Sequence, residues 1–209
     1  MPYFMNTFRT PKPGKVADVA DLVQKSVEDL GVPGIVSVAV SPPTPHLESF
    51  KVTAALNIEN SEGVDALIDR IFDDALTVMR DRTDISELCT HEAISFSRVM
   101  ASSANIPDNF TPKFINRQFV PVKLGKLPEI VELLSSWNAE IDHPFVSNIS
   151  VPMGGPVSSV RITHIVESFA SLETLNEKVF SDPRINDLRE LISGSAVRSL
   201  GRITYAKRA

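Results

Sequence analysis

The sequence predicts an α+β protein made of two tandem repeats, each with the element order β-α-β-β-α-β. One observation is a short motif that occurs twice, 111 residues apart, as TFRTPKPGK at 7–15 and QFVPVKLGK at 118–126. A second is that apolar residues with helical spacing follow each copy. A third is that the longer strands carry apolar residues at both alternating positions, which is typical of strands buried on both faces. Together they indicate a duplicated unit whose sheet has no solvent face.

The first half begins with a strand that leads into the motif and then into a helix. Apolar residues from Val16 to Leu30 recur at i, i+3, i+4, i+7, i+11 and i+14, which places them on one helical face. Gly31 and Pro33 stop this helix. A short strand, a longer strand, a second helix with an apolar stripe and a closing strand are predicted at 35–40, 50–58, 64–79 and 93–100.

The second half repeats this order. Its first helix has the same apolar spacing between 127 and 141. Ser171 is the predicted N-cap of its second helix, and Asp182 followed by Pro183 predicts the start of a further short helix. The strands of this half are predicted at 145–150, 160–168 and 197–206.

We predict repeat 1 over 1–104, a polar linker over 105–110 and repeat 2 over 111–209. The split βαβ order is that of a ferredoxin-like unit, in which two helices cover one face of a four-stranded sheet. The other sheet face must be covered as well, because the strands are apolar there. We therefore expect the two repeats to pack sheet to sheet, as a monomeric pseudo-dimer or a homodimer.

The composition excludes several classes of protein. Hydrophobic residues make up 43% and charged residues 22% of the 209 residues, which is typical of a globular chain. The net charge of −5 argues against binding to nucleic acid or anionic lipid through bulk charge. No apolar run approaches the roughly 20 residues of a transmembrane helix, and no signal-peptide pattern is visible. With the single Cys89, these features predict a cytoplasmic protein without nucleic-acid or membrane partners.

Common catalytic and cofactor motifs do not occur in the sequence. The four histidines form no HxxxH or HExxH pair, and there is no GxSxG, Walker A or GxGxxG pattern. Gly14-Lys15 and Gly125-Lys126 precede helices, where backbone N–H groups could hold an anion. A turn glycine followed by a solvated lysine explains both pairs as well. We therefore predict no metal site and no cofactor.

Alignment of the two halves places polar residues in the second half where the first has apolar ones. Asn148 replaces Val38, and His164 replaces Ala54. Burying such groups without partners costs roughly 1–3 kcal/mol each, so they either bond to each other or line a pocket. A histidine satisfied within the core remains an alternative. We expect one working pocket in the second repeat, with His164 as its acid/base or its ligand donor.

Arginines provide candidate anion partners for this pocket. Arg117 aligns with Asn6 of the first repeat, and Arg98 matches Arg202 at an offset of 104 residues. Arginines that snorkel from strand ends or form salt bridges between the repeats remain an alternative. The predicted catalytic residues are His164, Arg202 and Arg117, and the predicted ligand-binding residues are Asn148, Asn6 and Arg98.

The motif FRTPKPGK and the amphipathic helix after it resemble the opening of NIPSNAP-like proteins, where an aromatic/Arg-Thr strand leads into a KPGK turn. The chain is also similar to the antibiotic-biosynthesis monooxygenase group, which shares the turn glycine. Both groups belong to the dimeric α+β barrel superfamily, and the resemblance covers nearly the whole chain. It implies a pseudo-dimeric α+β barrel in which the tandem repeat takes the place of the dimer.

The same resemblance implies the binding of a small molecule. Haem-degrading members use an Asn on the first strand, a Trp and a His; Asn6 and Trp137 are the candidates here, and no histidine matches. We expect a small, mostly apolar organic ligand, with cofactor-free monooxygenase-type oxidation as its chemistry. The alternative is a non-catalytic interaction or scaffold protein of NIPSNAP-like type, and the sequence leaves open whether the protein is an enzyme.

Overall fold

The structure is a computed structural model of the chain. It describes residues 1–41, 51–81, 83–103, 109–141, 145–155 and 158–207. Within these ranges, the side chains of Ser41 and of residues 72–84 are not described. Most of the predicted linker 105–110 and the residues His46 and His143 lie outside the described residues.

The chain divides into two compact units. Unit 1 comprises Met1–Arg98 and Ile203–Ala209, and unit 2 comprises Val99–Arg202. The last strand of each half therefore begins in one unit and ends in the other. The sequence, in contrast, predicts a single boundary between the two repeats, in the linker. The bounds of the two predicted repeats stay a prediction.

The first half has six predicted elements and one additional short helix. The observed bounds agree with the predicted ones within a few residues. The elements are β1 (Tyr3–Pro11), α1 (Val16–Leu30), β2 (Gly34–Ser41), β3 (Val52–Ile58), α2 (Ser61–Asp81), α3 (Thr83–Glu87) and β4 (Cys89–Ser102).

The second half has the same order, again with an additional short helix before its last strand. Its elements are β5 (Phe114–Pro121), α4 (Leu127–Glu140), β6 (Val146–Pro152), β7 (Ser159–Val166), α5 (Phe169–Ser181), α6 (Arg184–Leu191) and β8 (Val197–Lys207). The eight strands described follow the closed hydrogen-bonded order β1-β3-β2-β8-β5-β7-β6-β4. This order confirms the α+β class and the barrel. None of the described helices combines the length and apolar character needed to cross a membrane.

The repeated motif forms the same turn in both halves. The N–H of Lys15 donates to the carbonyl of Lys12, and the N–H of Lys126 donates to the carbonyl of Lys123, both at 3.0 Å. Gly14 and Gly125 have φ angles of 78° and 80°, which is the third-residue geometry of a type II turn. A residue with a Cβ atom is strained there, so the turn explains why both copies of the motif contain glycine.

Helix ends follow the predicted capping chemistry, with a correction at the start of α5. Gly31 ends α1 in the left-handed conformation, at φ 71°. The predicted N-cap Ser171 is wrong, because α5 starts at Phe169 and the cap is Ser168. The Ser168 Oγ atom accepts the N–H of Ser171 at 3.0 Å, so Ser171 is the residue that is capped.

Each unit has its own hydrophobic core between its sheet and its helices. In unit 1, the buried face of α1 contacts apolar residues of β2 and β3, including Val19, Val23, Val36, Val52 and Leu56. In unit 2, residues of α4 contact the same kind of strand residues, including Ile130, Leu134, Ile149, Val160 and Ile162. The second sheet face of unit 2 is buried too, as Ile115 and Ile165 show. Burial on both faces is therefore confirmed for β5 and β7, whereas β4 and β8 have many exposed residues, so the prediction of a sheet without a solvent face is wrong for these closing strands.

Gly34 gives a test of the packing between β2 and β3. A Cβ atom at this position would lie 2.8 Å from the carbonyl oxygen of Ala55 and 2.8 Å from a methyl group of Leu56. Because a backbone oxygen within a sheet cannot move aside, we expect Gly34→Ala to lower the free energy of unfolding by about 1–3 kcal/mol in denaturant titrations. Gly154→Ala is the matched control, since its Cβ atom would have no neighbour within 4 Å. An equal effect of both substitutions would contradict this register.

Candidate functional site

His164 lies on β7 and is oriented toward the helices of unit 2. Ile162, two residues before it, packs against Leu134 and Trp137 of α4. Because side chains alternate along a strand, His164 shares this helix-facing side with Ile162. The His164 side chain is 8% exposed, and its ring meets that of Phe145 edge to face, with the ring centres 5.4 Å apart. The predicted acid/base residue is therefore buried between sheet and helices.

Three polar residues form a row across neighbouring strands on this side of the sheet. Asn116 of β5 and Ser147 of β6 lie directly opposite His164, on either side of it. Opposite residues in an antiparallel sheet are about 4.5–5.5 Å apart and face the same way. Asn116 and Ser147 are each 1% exposed. Their side-chain polar atoms and His164 Nδ1 have no hydrogen-bond partner among the described residues. We call these three residues the polar row.

A pocket lies between the polar row and the helices. Its volume is about 80 Å³. That is several times the roughly 10–15 Å³ needed for one water, and smaller than the roughly 300–1,000 Å³ of sites for drug-sized ligands. Nine of its lining residues are apolar, and the polar ones are Gln118, Asn138, Ser147, His164 and Arg198. A compact organic group with one or two polar atoms fits this lining.

Burial keeps His164 uncharged at neutral pH. Desolvation, and then the positive charge of Arg198, lower its pKa to about 4. Arg198 is the charged residue in the pocket lining. The neutral imidazole offers a hydrogen-bond acceptor and a donor to a ligand, and it carries no charge that would need a counter-ion.

The predicted arginines occupy other places. Arg202 is on the helix-facing side of β8, opposite Phe114, but it is exposed and does not line the pocket. Its guanidinium stacks over the Phe114 ring at 5.1 Å and donates to the Lys113 carbonyl at 3.3 Å. Arg198, four residues earlier on β8, lines the pocket instead. Its guanidinium lies 5.8 Å from the centre of the Phe180 ring.

Arg117 and Asn148 lie on the opposite side of the sheet from His164. Arg117 follows Asn116 directly, and both Arg117 and Asn148 are opposite Thr163 in the register. Arg117 is 5% exposed; burial, and then the charge of Arg161, lower its pKa to about 9, so it stays protonated at neutral pH. The structure therefore does not bring His164 and Arg117 into one pocket.

Asn148 and the two predicted residues of unit 1 have local structural contacts. Asn148 Oδ1 accepts the hydroxyl of Ser102 at 2.7 Å. Asn6 is 4% exposed, and its side-chain amide donates to the carbonyls of Phe4 and Ser95 at 3.4 and 3.5 Å. Arg98 is exposed near the end of β4. These contacts hold Asn148 and Asn6 to neighbouring backbone and side chains of their own units.

The register corrects the sequence alignment of His164. Asn116 is opposite His164 in unit 2, and Met5 is opposite Leu56 in unit 1. Asn116 and Met5 are separated by the same 111 residues as the two turns. The counterpart of His164 is therefore Leu56 and not Ala54. The ungapped alignment was wrong because the loops between the strands differ in length.

The same correction applies to β2 and β6. Gly34 lies opposite Leu56 as Ser147 lies opposite His164. The counterpart of Asn148 is consequently Ile35 and not Val38. In unit 1, the positions of the polar row are occupied by Met5, Leu56 and Gly34. The second half has buried polar residues on both faces of its sheet: Asn116, Ser147 and His164 on the helix-facing side, and Arg117, Ser150 and Arg161 on the other.

A charged cluster fastens the helices that form the pocket wall. Arg184, the first residue of α6, donates to both carboxylate oxygens of Asp182 at 2.9 and 2.7 Å and to Glu140 at 2.7 Å. Its guanidinium also lies 5.5 Å from the ring centre of the buried Trp137. Hydrogen bonds from Arg184 lower the pKa of Asp182 to about 2. The Asp182 Oδ1 atom accepts the Arg184 N–H at 2.9 Å, but α6 begins at Arg184 with Pro183 as its N-cap, one residue later than predicted.

The described residues fit neither a metal ion nor a haem. The described residues contain no group of three or more His, Cys, Asp or Glu side chains that could hold a metal ion. Cys89 is buried and His91 is exposed, although both lie on β4. A pocket of about 80 Å³ does not fit a haem, whose macrocycle is larger than a typical drug-sized ligand. We derive no step through either group.

Three residues of the site were not predicted from the sequence: Asn116, Ser147 and Arg198. A signal existed for Asn116, because Asn116, Arg117 and Gln118 are three consecutive polar residues inside a strand. Such a run is unusual in a strand buried on both faces. Trp137 was considered only as a partial match to haem-degrading enzymes, and it lines the pocket.

Comparison with known proteins shows similarity to solved structures in fold, without a match in sequence. No protein-family model matches the sequence, and no curated protein matches it. A provisionally named monooxygenase from Fusobacterium nucleatum subsp. nucleatum is similar with a TM-score of 0.74 and 10% identity, over 99% of this chain and 94% of that one. An anthrone oxidase-like protein is similar with a TM-score of 0.65 and 13% identity, over 99% and 92%.

A monooxygenase-like protein from Listeria innocua is similar with a TM-score of 0.55 and 8% identity, over 98% of this chain and 96% of that one. At such low identities the similarity establishes architecture and no particular activity. It extends over nearly the full length of each compared chain. The protein therefore has the α+β barrel fold of these monooxygenase-like proteins.

Proposed function

We propose that unit 2 binds a small, mostly apolar organic ligand between its sheet and helices α4–α6, and that such a ligand can be oxidised there without a cofactor. The observation that carries the proposal is the polar row: Asn116, Ser147 and His164 are buried without hydrogen-bond partners among the described residues, beside a mostly apolar pocket. Leaving such groups unpaired costs roughly 1–3 kcal/mol each. Ser147 and His164 line the pocket and Asn116 does not, so a ligand that bonds to Ser147 and His164 recovers part of this free energy.

The alternative of a non-catalytic scaffold protein has less support. A scaffold needs a filled core, and nothing in its role requires three unpaired polar groups at positions where unit 1 has Met5, Leu56 and Gly34. We infer that the two halves are tandem ferredoxin-like repeats, supported by their common element order and common turn, and that the second repeat is specialised. The NIPSNAP-like relationship and the cytoplasmic location stay predictions.

The oxidation needs a ligand that reacts with dioxygen once it is deprotonated. An acidic CH₂ group gives a proton to His164, and the carbanion gives one electron to O₂. Recombination of the radical pair forms a C–O bond, and His164 returns its proton to complete a hydroperoxide. Loss of water then leaves a carbonyl, so that CH₂ and O₂ become C=O and H₂O. Arg198 is the pocket residue that can stabilise the intermediate anion.

The pKa of His164 limits which ligands can react. A proton transfer from a group of pKa about 10 to an imidazole of pKa about 4 costs about 8 kcal/mol. A turnover of about 10 s⁻¹ allows a total barrier of about 16 kcal/mol. The transfer therefore takes about half of the permitted barrier. Ligands much less acidic than this would be bound without being oxidised.

Replacement of the polar row by its unit 1 counterparts tests the proposed function. We expect His164→Leu to raise the free energy of unfolding by about 1–3 kcal/mol, because it removes an unpaired buried polar group. The same variant should bind small neutral aromatic probes, such as phenol and indole, about tenfold more weakly. Denaturant titration gives the first quantity, and NMR titration of the indole signal of Trp137, the single tryptophan, gives the second.

His91→Gln is the control, since His91 is an exposed histidine of unit 1. It should leave both quantities unchanged. If His164→Leu destabilises the protein while phenol and indole bind as before, His164 is a satisfied core residue and the proposed site is wrong.

The protonation of His164 gives a separate prediction. Its pKa of about 4 in the folded protein is below the ordinary 6.5, so the unfolded chain binds more protons between these values. Stability from the neutral imidazole is present above pH 6.5 and is lost as the pH falls to about 4. We expect a loss of about 3 kcal/mol over this range, measured as the difference between the parent protein and His164→Leu. A difference that does not change with pH would show that His164 is hydrated.

A further inference from the structure

We propose that the pocket of unit 2 selects small organic anions, in particular carboxylates with a short apolar body, and that Arg198 is the residue that recognises them. The inference rests on the proposed function, because it uses the same pocket. It goes beyond that function by naming the chemical class of the ligand and a residue that determines specificity.

The first argument is the position of Arg198. It lies on β8 opposite Gln118 and lines the pocket beside His164. It is exposed, so its charge is at the side of the pocket that meets solvent. Within the described part of the chain, the Arg198 guanidinium has no carboxylate partner and donates no hydrogen bond. It lies 5.8 Å from the centre of the Phe180 ring. The donors of its guanidinium are therefore available to a ligand.

The second argument is a contrast with the other cations nearby. Arg184 is fully engaged by Asp182 and Glu140, and Arg202 donates to the Lys113 carbonyl. Arg198 has no such engagement, and stacking on Phe180 restricts its orientation. A planar guanidinium held in this way presents two parallel N–H donors, which match the two oxygens of a carboxylate.

The third argument is the rest of the lining. Among the described residues, the lining contains no acidic side chain that would repel an anion or compete for Arg198. Nine apolar residues can cover the body of the ligand, and His164, which is more than nine-tenths buried, keeps an unpartnered ring nitrogen at the inner side. A ligand with an anionic end and a compact apolar body therefore matches the pocket from its charged side to its buried side.

The size of the pocket narrows the class. A dry cavity of about 150 Å³ in another protein holds one benzene ring. At about 80 Å³, this pocket is about half as large, so it encloses a short chain or part of one aromatic ring, and the rest of the ligand with its carboxylate stays at the opening beside Arg198. We therefore chose benzoate with its neutral counterpart benzamide, and butyrate with butyramide, as probes.

The experiment compares these matched pairs by NMR titration of the Trp137 indole and His164 ring signals. We expect each carboxylate to bind more tightly than its amide. Arg198→Gln should weaken carboxylate binding by about tenfold or more and leave amide binding within about twofold. Arg198→Lys should recover part of the loss, because it restores charge without the planar fork. Arg189→Gln, on an exposed arginine of α6, is the control and should change neither.

The outcomes separate this inference from the proposed function. If the amides bind as tightly as the carboxylates, or if Arg198→Gln leaves carboxylate binding unchanged, the anion selectivity is wrong and the proposed pocket stands. If neither the acids, the amides nor the neutral probes phenol and indole perturb Trp137 and His164, the proposed pocket is wrong and the inference fails with it. A shift of the His164 titration to higher pH in Arg198→Gln, without any probe, checks independently that the two residues are neighbours.

Discussion

The burial of β1, β3, β5 and β7 on both faces is the constraint on which the rest of this structure depends. In such strands, every buried polar side chain needs a partner inside the protein. Unit 1 meets this requirement where the hydroxyls of Ser37 and Thr53 bond to each other at 2.8 Å. In unit 2 the buried Arg161 guanidinium donates to Ser150 at 3.4 Å, and burial lowers its pKa to about 10. The polar row does not meet this requirement, and neither does the buried Thr10 Oγ1 atom of unit 1; the polar row differs from Thr10 because it lies beside a pocket.

Comparison of the two halves makes the polar row easy to recognise. Both halves have the same turn and the same strand pairing, so each position of unit 2 can be compared with a position that has the same structural duty. Three changes, to Asn116, Ser147 and His164, separate a packed helix-sheet interface from a pocket with hydrogen-bonding groups. The other positions of both core clusters are apolar, with Cys89 in unit 1 and Trp137 in unit 2 among them. Three positions are therefore enough to change the character of the interface between sheet and helices.

Much of the fold could be predicted from local sequence, because helical spacing, turn glycines and N-cap residues act within a few residues of each other. The stripe from Val16 to Leu30 and the glycines of the two turns are examples. Strand register could not be predicted, since it depends on loop lengths that an ungapped alignment ignores. His164 was identified correctly as a buried polar residue, but its counterpart was not.

The partners of His164 escaped prediction because the sequence does not show which face of the sheet a residue occupies. Successive side chains of a strand point to opposite faces, so Arg117 was assigned to the pocket in place of its neighbour Asn116. Arg198 could not be recognised either, because an arginine near the start of a strand has many roles and only the packing of α4–α6 decides between them. The placement of the site in the second half stays a prediction, and the residues that line the pocket could be identified only from the structure.

The way in which α6 is attached affects how long a molecule stays bound in the pocket. This helix has no fully buried residue, and the Arg184 cluster at its first residue ties it to α4 and to the end of α5. Ile185 and Leu188, which line the pocket, are thus held by ion pairs at one end and by shallow packing elsewhere. Ion pairs near the surface weaken as salt concentration rises, whereas apolar contacts do not. The residence time of a bound molecule would then depend on ionic strength even when the molecule itself is uncharged, because the salt weakens the ion pairs that hold α6 and does not act on the molecule.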